Sequence, residues 1–180
     1  MIAQYADEAA LIKAGHVGIS FDDGKTIFGF HPAANAVKGL SSAEIIAHLR
    51  NRGSYPGQVY DDTAIFLRVH ELGQQGALSR GSSNAPGVPL SVYQWRQELP
   101  IAQVDQIRNS VLQQLADPSI TSSRYSFPDK GPTGYFMPPG CNNCATWPSI
   151  EGVQIPESSG RLSNYIELLI ERGGGAIWTP

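Results

Sequence analysis

The alternation of apolar and polar positions predicts a β-hairpin near the start of the chain. Residues 15–21 alternate as a half-buried strand does, and residues 22–25 contain the Asp-Gly pair typical of a tight hairpin turn. Residues 26–31 are rich in β-branched and aromatic side chains and predict the second strand, which Pro32 ends.

Farther along, the spacing of apolar residues predicts helices. Three are expected: one opened by a capping box at Ser41 and Glu44 and ended by a left-handed Gly53, one from Pro100 to Asp117 and Pro118, and one over residues 162–169. A single helical turn is expected over residues 145–147, stopped by Pro148.

The remaining segments read as strands and loops. Strands are expected over residues 63–69 and 92–96, and Gly- and Pro-rich loops over residues 73–89 and 122–140. Because strands and helices do not alternate regularly, the pattern favours an α+β fold, with an antiparallel sheet packed against helices. We expect residues 1–180 to form a single catalytic domain, alone or within a larger polypeptide.

Composition narrows the functions that this chain can have. With 180 residues and a formal charge of −3, it lacks the basic patch that nucleic acid binding requires. No apolar run is long enough to predict a membrane span, and the first residues do not read as a signal peptide. The protein is therefore expected to be cytoplasmic as made.

Cysteine and histidine are the candidate chemical groups. The two cysteines, Cys141 and Cys144, have the spacing of a redox pair or of half a zinc site, although no second pair exists to complete a zinc site. His16 and His31 bracket the predicted hairpin turn, so that both imidazoles lie at comparable heights. Thiol chemistry needs a base near the sulfur and a polar group that orients the base. The alternative is that both histidines are structural.

The hairpin resembles the catalytic hairpin of NlpC-type cell-wall peptidases, in its Gly-His-Val-Gly-Ile run and in the histidine that follows the second strand. The later Asn143-Cys144 pair is similar to the permuted branch of that papain-like superfamily, which includes the lecithin–retinol acyltransferase-like proteins. The resemblance implies a papain-like fold, with Cys144 as nucleophile, His16 as base and His31 as third residue. His31 comes later than the usual spacing, which leaves Asn35 as an alternative third residue.

Cys144 is preferred to Cys141 because it precedes the predicted helical turn, where free N–H groups stabilise a thiolate. Backbone N–H groups around it, at Asn143 and Ala145, are candidates for an oxyanion hole. A buried structural thiol is the alternative.

Other ionisable residues are expected to be structural. His48 is assigned to a solvated helix face and His70 to the end of a strand. The carboxylate pairs at residues 22–23 and 61–62 are discounted as a catalytic pair, because adjacent side chains point apart. Neither a metal nor a cofactor is expected.

These features predict a cysteine peptidase or amidase that cleaves a peptide-like amide. The resemblance implies a peptidoglycan substrate. A bacterial effector, delivered to a target periplasm with a secretion-system carrier or paired with an immunity protein, is the role expected of a wall hydrolase whose first residues do not read as a signal peptide. A lipid acyl hydrolase or acyltransferase and a protein deamidase are alternatives with the same dyad. A non-catalytic binding module or a Cys-x-x-Cys redox module is the alternative of another class.

Overall fold

A computed structural model describes residues 16–78, 90–131, 134–144, 146–153 and 176–180. Within these ranges the fold is α+β, as the sequence predicts. The helices are α1 (Ser42–Arg50), α2 (Thr63–Gln74), α3 (Ile101–Ala116) and the single turn α4 (Trp147–Ile150), with short 3-10 turns at Ala34–Ala36 and Pro118–Ile120.

Nine short strands form one main sheet and two small pairs in the described part of the chain. They are β1 (Gly18–Ile19), β2 (Phe28–Pro32), β3 (Ser54–Asp61), β4 (Tyr93–Gln94), β5 (Arg124–Ser126), β6 (Asp129–Gly131), β7 (Gly134–Phe136), β8 (Cys141–Asn142) and β9 (Ala176–Ile177). The main sheet has the order β1-β2-β3-β5-β8, while β4 pairs with β9 and β6 with β7.

The predicted hairpin is confirmed. β1 and β2 are antiparallel with Gly18 opposite Gly29. The turn places Asp23 at φ 59° and Gly24 at φ 87°, the positive values that an Asp-Gly turn tolerates. β1 is shorter than predicted, and His16 lies two residues before it. The backbone N–H of Val17, between them, is directed to the sulfur of Cys144.

The expectation of a purely antiparallel sheet is wrong, since β5 and β8 are parallel. The segment between them crosses back along the sheet and carries the β6–β7 hairpin. The predicted loop over residues 122–140 therefore contains three strands, and Cys141 lies in β8 rather than in a loop.

The predicted strand over residues 63–69 is instead part of helix α2. The N-cap residue of α2 is Asp62, whose side chain makes no capping bond. Asp61, one residue earlier, closes the start of the helix instead, because its carboxylate accepts hydrogen bonds from the backbone N–H and the hydroxyl of Thr63, at 3.0 and 2.6 Å. Phe66 and Val69 are three residues apart and pack on one cluster with Ile27, Val92 and Trp178. Helical spacing, not strand alternation, accounts for these apolar positions.

Helix α1 begins with the predicted capping box, since Ser41 and Glu44 bond reciprocally. Its predicted end is wrong in detail: Arg52, at φ 61°, is the left-handed residue, and the backbone N–H of Gly53 bonds the carbonyl of His48 at 2.9 Å. A Cβ at Gly53 would overlap the His48 ring, which is exposed and would have to turn aside.

Helix α3 and Trp147 complete the main core. Ile107 and Val111 of α3 pack with Phe30 of β2 and with Trp147, which stacks on Phe30 at a ring separation of 5.9 Å. Helix α4 starts at Trp147 and contains Pro148 in its first turn, so the predicted stop at Pro148 is wrong. Proline fits there because a first-turn N–H has no helical partner to lose.

Some expectations fall outside the described residues, namely the helix over residues 162–169, most of the loop over residues 73–89 and the position of Ala145. Among the helices that are described, none combines the length and apolar character needed to cross a membrane.

We expect Trp147→Ala to lower the free energy of unfolding by about 3–5 kcal/mol, because it empties a fully buried site in the core. Urea unfolding measures this change. Ile101→Ala, at a side chain that is 80% exposed on α3, is the matched control and should shift stability by no more than about 0.5 kcal/mol. Equal losses in both variants would contradict the assigned core.

Candidate active site

The hairpin register brings the two histidines together. Extending the pairing of Gly18 with Gly29 by two residues places His16 opposite His31. The rings stack with centroids 4.4 Å apart and an interplanar angle of 30°. The prediction that the hairpin holds both imidazoles at one height is confirmed.

Asp62 joins the two rings. Its Oδ2 atom lies 2.7 Å from Nε2 of His16 and 2.7 Å from Nε2 of His31. The three side chains are almost closed to solvent, with 7% of each histidine and 2% of the aspartate exposed. His31 therefore contacts His16 by stacking, and both rings hydrogen-bond the same carboxylate.

The sequence did not lead us to Asp62, although the expectation that adjacent carboxylates point apart is correct. Asp61 and Asp62 do point apart: Asp61 closes the start of α2 at the surface, which leaves the neighbouring carboxylate free to turn inward. The backbone N–H of Asp62 bonds the carbonyl of Ile27 at 2.8 Å and fixes the start of α2 against the hairpin. Asp62 therefore takes part in the site through the two histidines, and the facing pair of carboxylates that was discounted is not needed.

Gly29 is the sequence feature that indicates a close contact at this point of β2. It interrupts an otherwise apolar and aromatic strand, which often marks a close approach. A Cβ at this position would overlap Oδ2 of Asp62 and lie 2.6 Å from Nε2 of His16. The absence of a side chain at Gly29 makes room for the aspartate between the two histidines.

Cys144 completes the cluster on the other side of His16. Its side chain is buried, with 7% of the residue exposed. A hydrogen bond joins its sulfur to His16, and since Nε2 of His16 is bonded to Asp62, Nδ1 is the ring atom left for the thiol. The N–H of Val17 and the hydroxyl of Tyr125 also donate to the sulfur.

The meeting of His16 and Cys144 depends on the curl of the sheet. β1 and β8 are its two outer strands, yet His16 lies two residues before β1 and Cys144 two residues after β8. The sheet therefore curls until its opposite edges approach each other at the thiol and the imidazole.

The electrostatics of the cluster favour an ion pair between Cys144 and His16. Burial by itself lowers the pKa of His16, but the charge of Cys144 and the hydrogen bonds to Asp62 and Cys144 raise it to about 10. Burial opposes ionisation of the thiol, yet the charge and hydrogen bond of His16 and the donors of Val17 and Tyr125 lower the pKa of Cys144. Both shifts favour a thiolate next to an imidazolium over a thiol next to a neutral imidazole.

The neighbouring groups stabilise this charge distribution. Burial raises the pKa of Asp62, but the hydrogen bonds from His16 and His31 outweigh it and hold the value at about 2. Burial and the nearby charge of His16 lower the pKa of His31, which favours a neutral ring. Burial and the charge of Cys144 raise the pKa of Tyr125 well above its ordinary value, so that its hydroxyl stays a donor.

A thiol, an imidazole and a carboxylate in continuous contact form the arrangement that nucleophilic thiol chemistry requires. No family model, curated protein or solved structure matches the chain. The likeness to NlpC-type peptidases rests on the quoted motifs and stays a prediction.

The other predicted positions have different surroundings. Asn143 is buried, and its Oδ1 accepts from the N–H of Thr146 at 3.1 Å while its own N–H donates to the Thr146 hydroxyl at 3.0 Å. These bonds shape the turn after Cys144, so the N–H of Asn143 is already engaged. Asn35 is exposed in the 3-10 turn Ala34–Ala36.

Cys141 and the remaining histidines lie apart from the cluster. Cys141 is opposite Arg124 and Asn142 is opposite Tyr125 in the β5–β8 register, so Cys141 faces away from the side of Tyr125, where Cys144 lies. This arrangement does not favour a redox pair. His48 is exposed and lies tilted against Tyr55, and His70, in helix α2, packs edge-on against Trp178.

Gly29→Ala is expected to separate Asp62 from the histidines, because the new methyl group has no space beside Oδ2. The reactivity of Cys144 toward a small alkylating reagent at about pH 6 should fall by roughly tenfold or more, as the imidazolium loses its carboxylate. Mass spectrometry of the labelled peptide measures this. Ile101→Ala is the control, since that side chain is 80% exposed on α3; equal reactivity in both variants would contradict the role of Gly29.

The ion pair also predicts how stability depends on pH. The raised pKa of His16 adds stability that is complete below pH 6.5 and is lost as the pH rises through about 10. The lowered pKa of Cys144 adds stability that is complete above pH 9.0 and is lost as the pH falls through the lowered value. Between pH 6.5 and 9.0 the unfolded chain holds one proton on this pair, so the two slopes cancel wherever the folded protein holds it as thiolate and imidazolium.

The difference in unfolding free energy between the native protein and a Cys144→Ala, His16→Gln double variant should therefore be level over the range in which the ion pair is present. It should decrease as the pH rises toward about 10 and as the pH falls through the lowered pKa of Cys144. Urea titrations at a series of pH values give this difference. A steady decrease from pH 6.5 upward would mean that His16 is charged while Cys144 is not, and would contradict the ion pair.

Proposed function

We propose that the protein is a thiol hydrolase with Cys144 as nucleophile, His16 as general acid and base, and Asp62 as the group that orients His16. The observation that carries the proposal is the position of His16, which bonds Cys144 through one ring nitrogen and lies 2.7 Å from Asp62 through the other. His31 holds the same carboxylate oxygen from the opposite side and keeps Asp62 in place.

In the proposed reaction the thiolate of Cys144 attacks the carbonyl carbon of an amide. The carbonyl oxygen becomes an oxyanion, and the N–H of Val17 and hydroxyl of Tyr125, which contact the sulfur, are candidates to stabilise it. The imidazolium of His16 gives its proton to the leaving amine, which leaves a thioester on Cys144. His16 then takes a proton from water, and hydroxide releases the acid and restores the thiolate.

The proposed fold and substrate come from the motif resemblance. A hairpin that precedes an Asn143-Cys144 pair, on a sheet whose edges meet at the site, is compatible with a permuted papain-like fold. A peptide-like amide, as in peptidoglycan stem peptides, is the proposed substrate class, and an antibacterial effector is the proposed biological role. A lipid ester or a protein glutamine would use the same dyad.

A metal-dependent hydrolase is the second candidate, since the ligand atoms of His16, His31 and Asp62 all lie within 4.8 Å of one another. Zinc holds its ligands at about 2.0–2.2 Å, which separates tetrahedral neighbours by roughly 3.3 Å. The Nε2 to Oδ2 distances of 2.7 Å are those of charge-assisted hydrogen bonds and favour shared protons over an ion.

Hydrolysis by purified variants tests the proposal. Cys144→Ala and His16→Ala should each lose activity by at least about a thousandfold, because the thiol and its base act as a unit. Cys141→Ser, the matched control, should keep native activity. Peptidoglycan and phospholipid vesicles serve as separate substrates, and product masses distinguish amide from ester cleavage.

The outcomes separate the candidates. Full activity of Cys144→Ala would overturn the thiol mechanism. Loss of native activity on chelation, with recovery on added zinc, would favour the metal-dependent alternative. Release of fatty acid without peptide products would mean that the same dyad acts on lipid esters.

A further inference from the structure

The chain that follows Cys144 is attached to helix α3 through Glu151. Its Oε2 accepts a hydrogen bond from the Ser110 hydroxyl at 2.7 Å, and its Oε1 accepts one from Nε2 of Gln114 at 2.7 Å. Gln114 also donates to the Ser110 hydroxyl at 3.2 Å. Both oxygens of one carboxylate are thus held by two side chains that are neighbours on one face of α3.

Further bonds link Glu151 to α3 and to the residues near Cys144. The N–H of Trp147 bonds the carbonyl of Asn143 at 2.9 Å, and the N–H of Glu151 bonds the carbonyl of Trp147 at 3.3 Å. Gln103 of α3 adds a bond to the carbonyl of Gly152 at 3.4 Å. These bonds connect Glu151 through Trp147 to Asn143, the neighbour of Cys144.

His16 and Cys144, the two residues of the candidate dyad, are held in place by different parts of the fold. His16 is held by the hairpin and by Asp62 at the start of α2. Cys144 follows the outer strand β8, and its segment rests on α3 through Trp147 and the Glu151 bonds. The distance from sulfur to imidazole therefore depends on how firmly each support is fixed.

We propose that Glu151 is a positioning residue, which fixes the Cys144 segment on α3 so that the thiol meets His16. The inference rests on the proposed thiol chemistry, since positioning has a consequence only if Cys144 reacts. A displacement of about 1 Å at a reacting group can lower a rate by roughly a hundredfold. Glu151 touches none of the reacting atoms and acts through the segment that it anchors.

The test is the pH dependence of Cys144 alkylation by iodoacetamide, in a Cys141→Ser background that leaves one thiol. In Glu151→Ala the thiol moves away from His16, so the profile should move to higher pH and the rate at about pH 6 should fall roughly tenfold. Glu151→Gln keeps an acceptor for Gln114 and should restore most of the rate. Asp105→Ala removes another carboxylate of α3, one that pairs with Arg108, and should leave the profile unchanged.

A merely structural role would lower the melting temperature of Glu151→Ala without moving the pH profile, and that result would overturn the inference. If Glu151→Ala does not fold, the Ser110→Ala, Gln114→Leu double variant removes the same bonds from the α3 side and should move the profile in the same direction. An unmoved profile there would also overturn it. A native protein that is itself unreactive at about pH 6 would instead overturn the proposed function.

Discussion

The site depends on one buried carboxylate oxygen shared by two imidazoles. Asp62 is 1% exposed, and an ionised carboxylate at such a position is costly unless hydrogen bonds compensate it. His16 and His31 supply these bonds to a single oxygen. The second ring nitrogen of His16 is then directed at Cys144, so the carboxylate fixes both the orientation and the charge of the base.

Several local features of the fold make this contact possible. Gly29 leaves space beside the carboxylate, and Asp61 closes the start of α2 so that Asp62 is free to turn inward. The curl of the sheet then brings its outer strands together, which places Cys144 next to His16. The Asp23-Gly24 turn, the bonds that Asp61 makes at the start of α2 and the space left by Gly29 each have a local structural cause. Together they assemble the site.

The parts predicted from sequence are those with a local cause. The Asp23-Gly24 turn, the Ser41 capping box and the spacing of Ile107 and Val111 act within a few residues, and the structure confirms them. Asp62 was missed because its partner histidines are 46 and 31 residues away in sequence. The parallel pairing of β5 with β8 likewise depends on contacts between distant segments, whereas the spacing of Phe66 and Val69 is a local feature that indicates helix α2.

The most direct measurement is the pH titration of the Cys144 thiolate by its ultraviolet absorbance in the Cys141→Ser protein, with Asp62→Asn alongside. Because Asp62 supports the imidazolium that lowers the pKa of Cys144, the thiolate should persist well below the ordinary thiol value of about 8.5. Asp62→Asn should move the transition toward that value. A transition near 8.5 in both proteins would contradict the central claim that Asp62 and His16 activate Cys144.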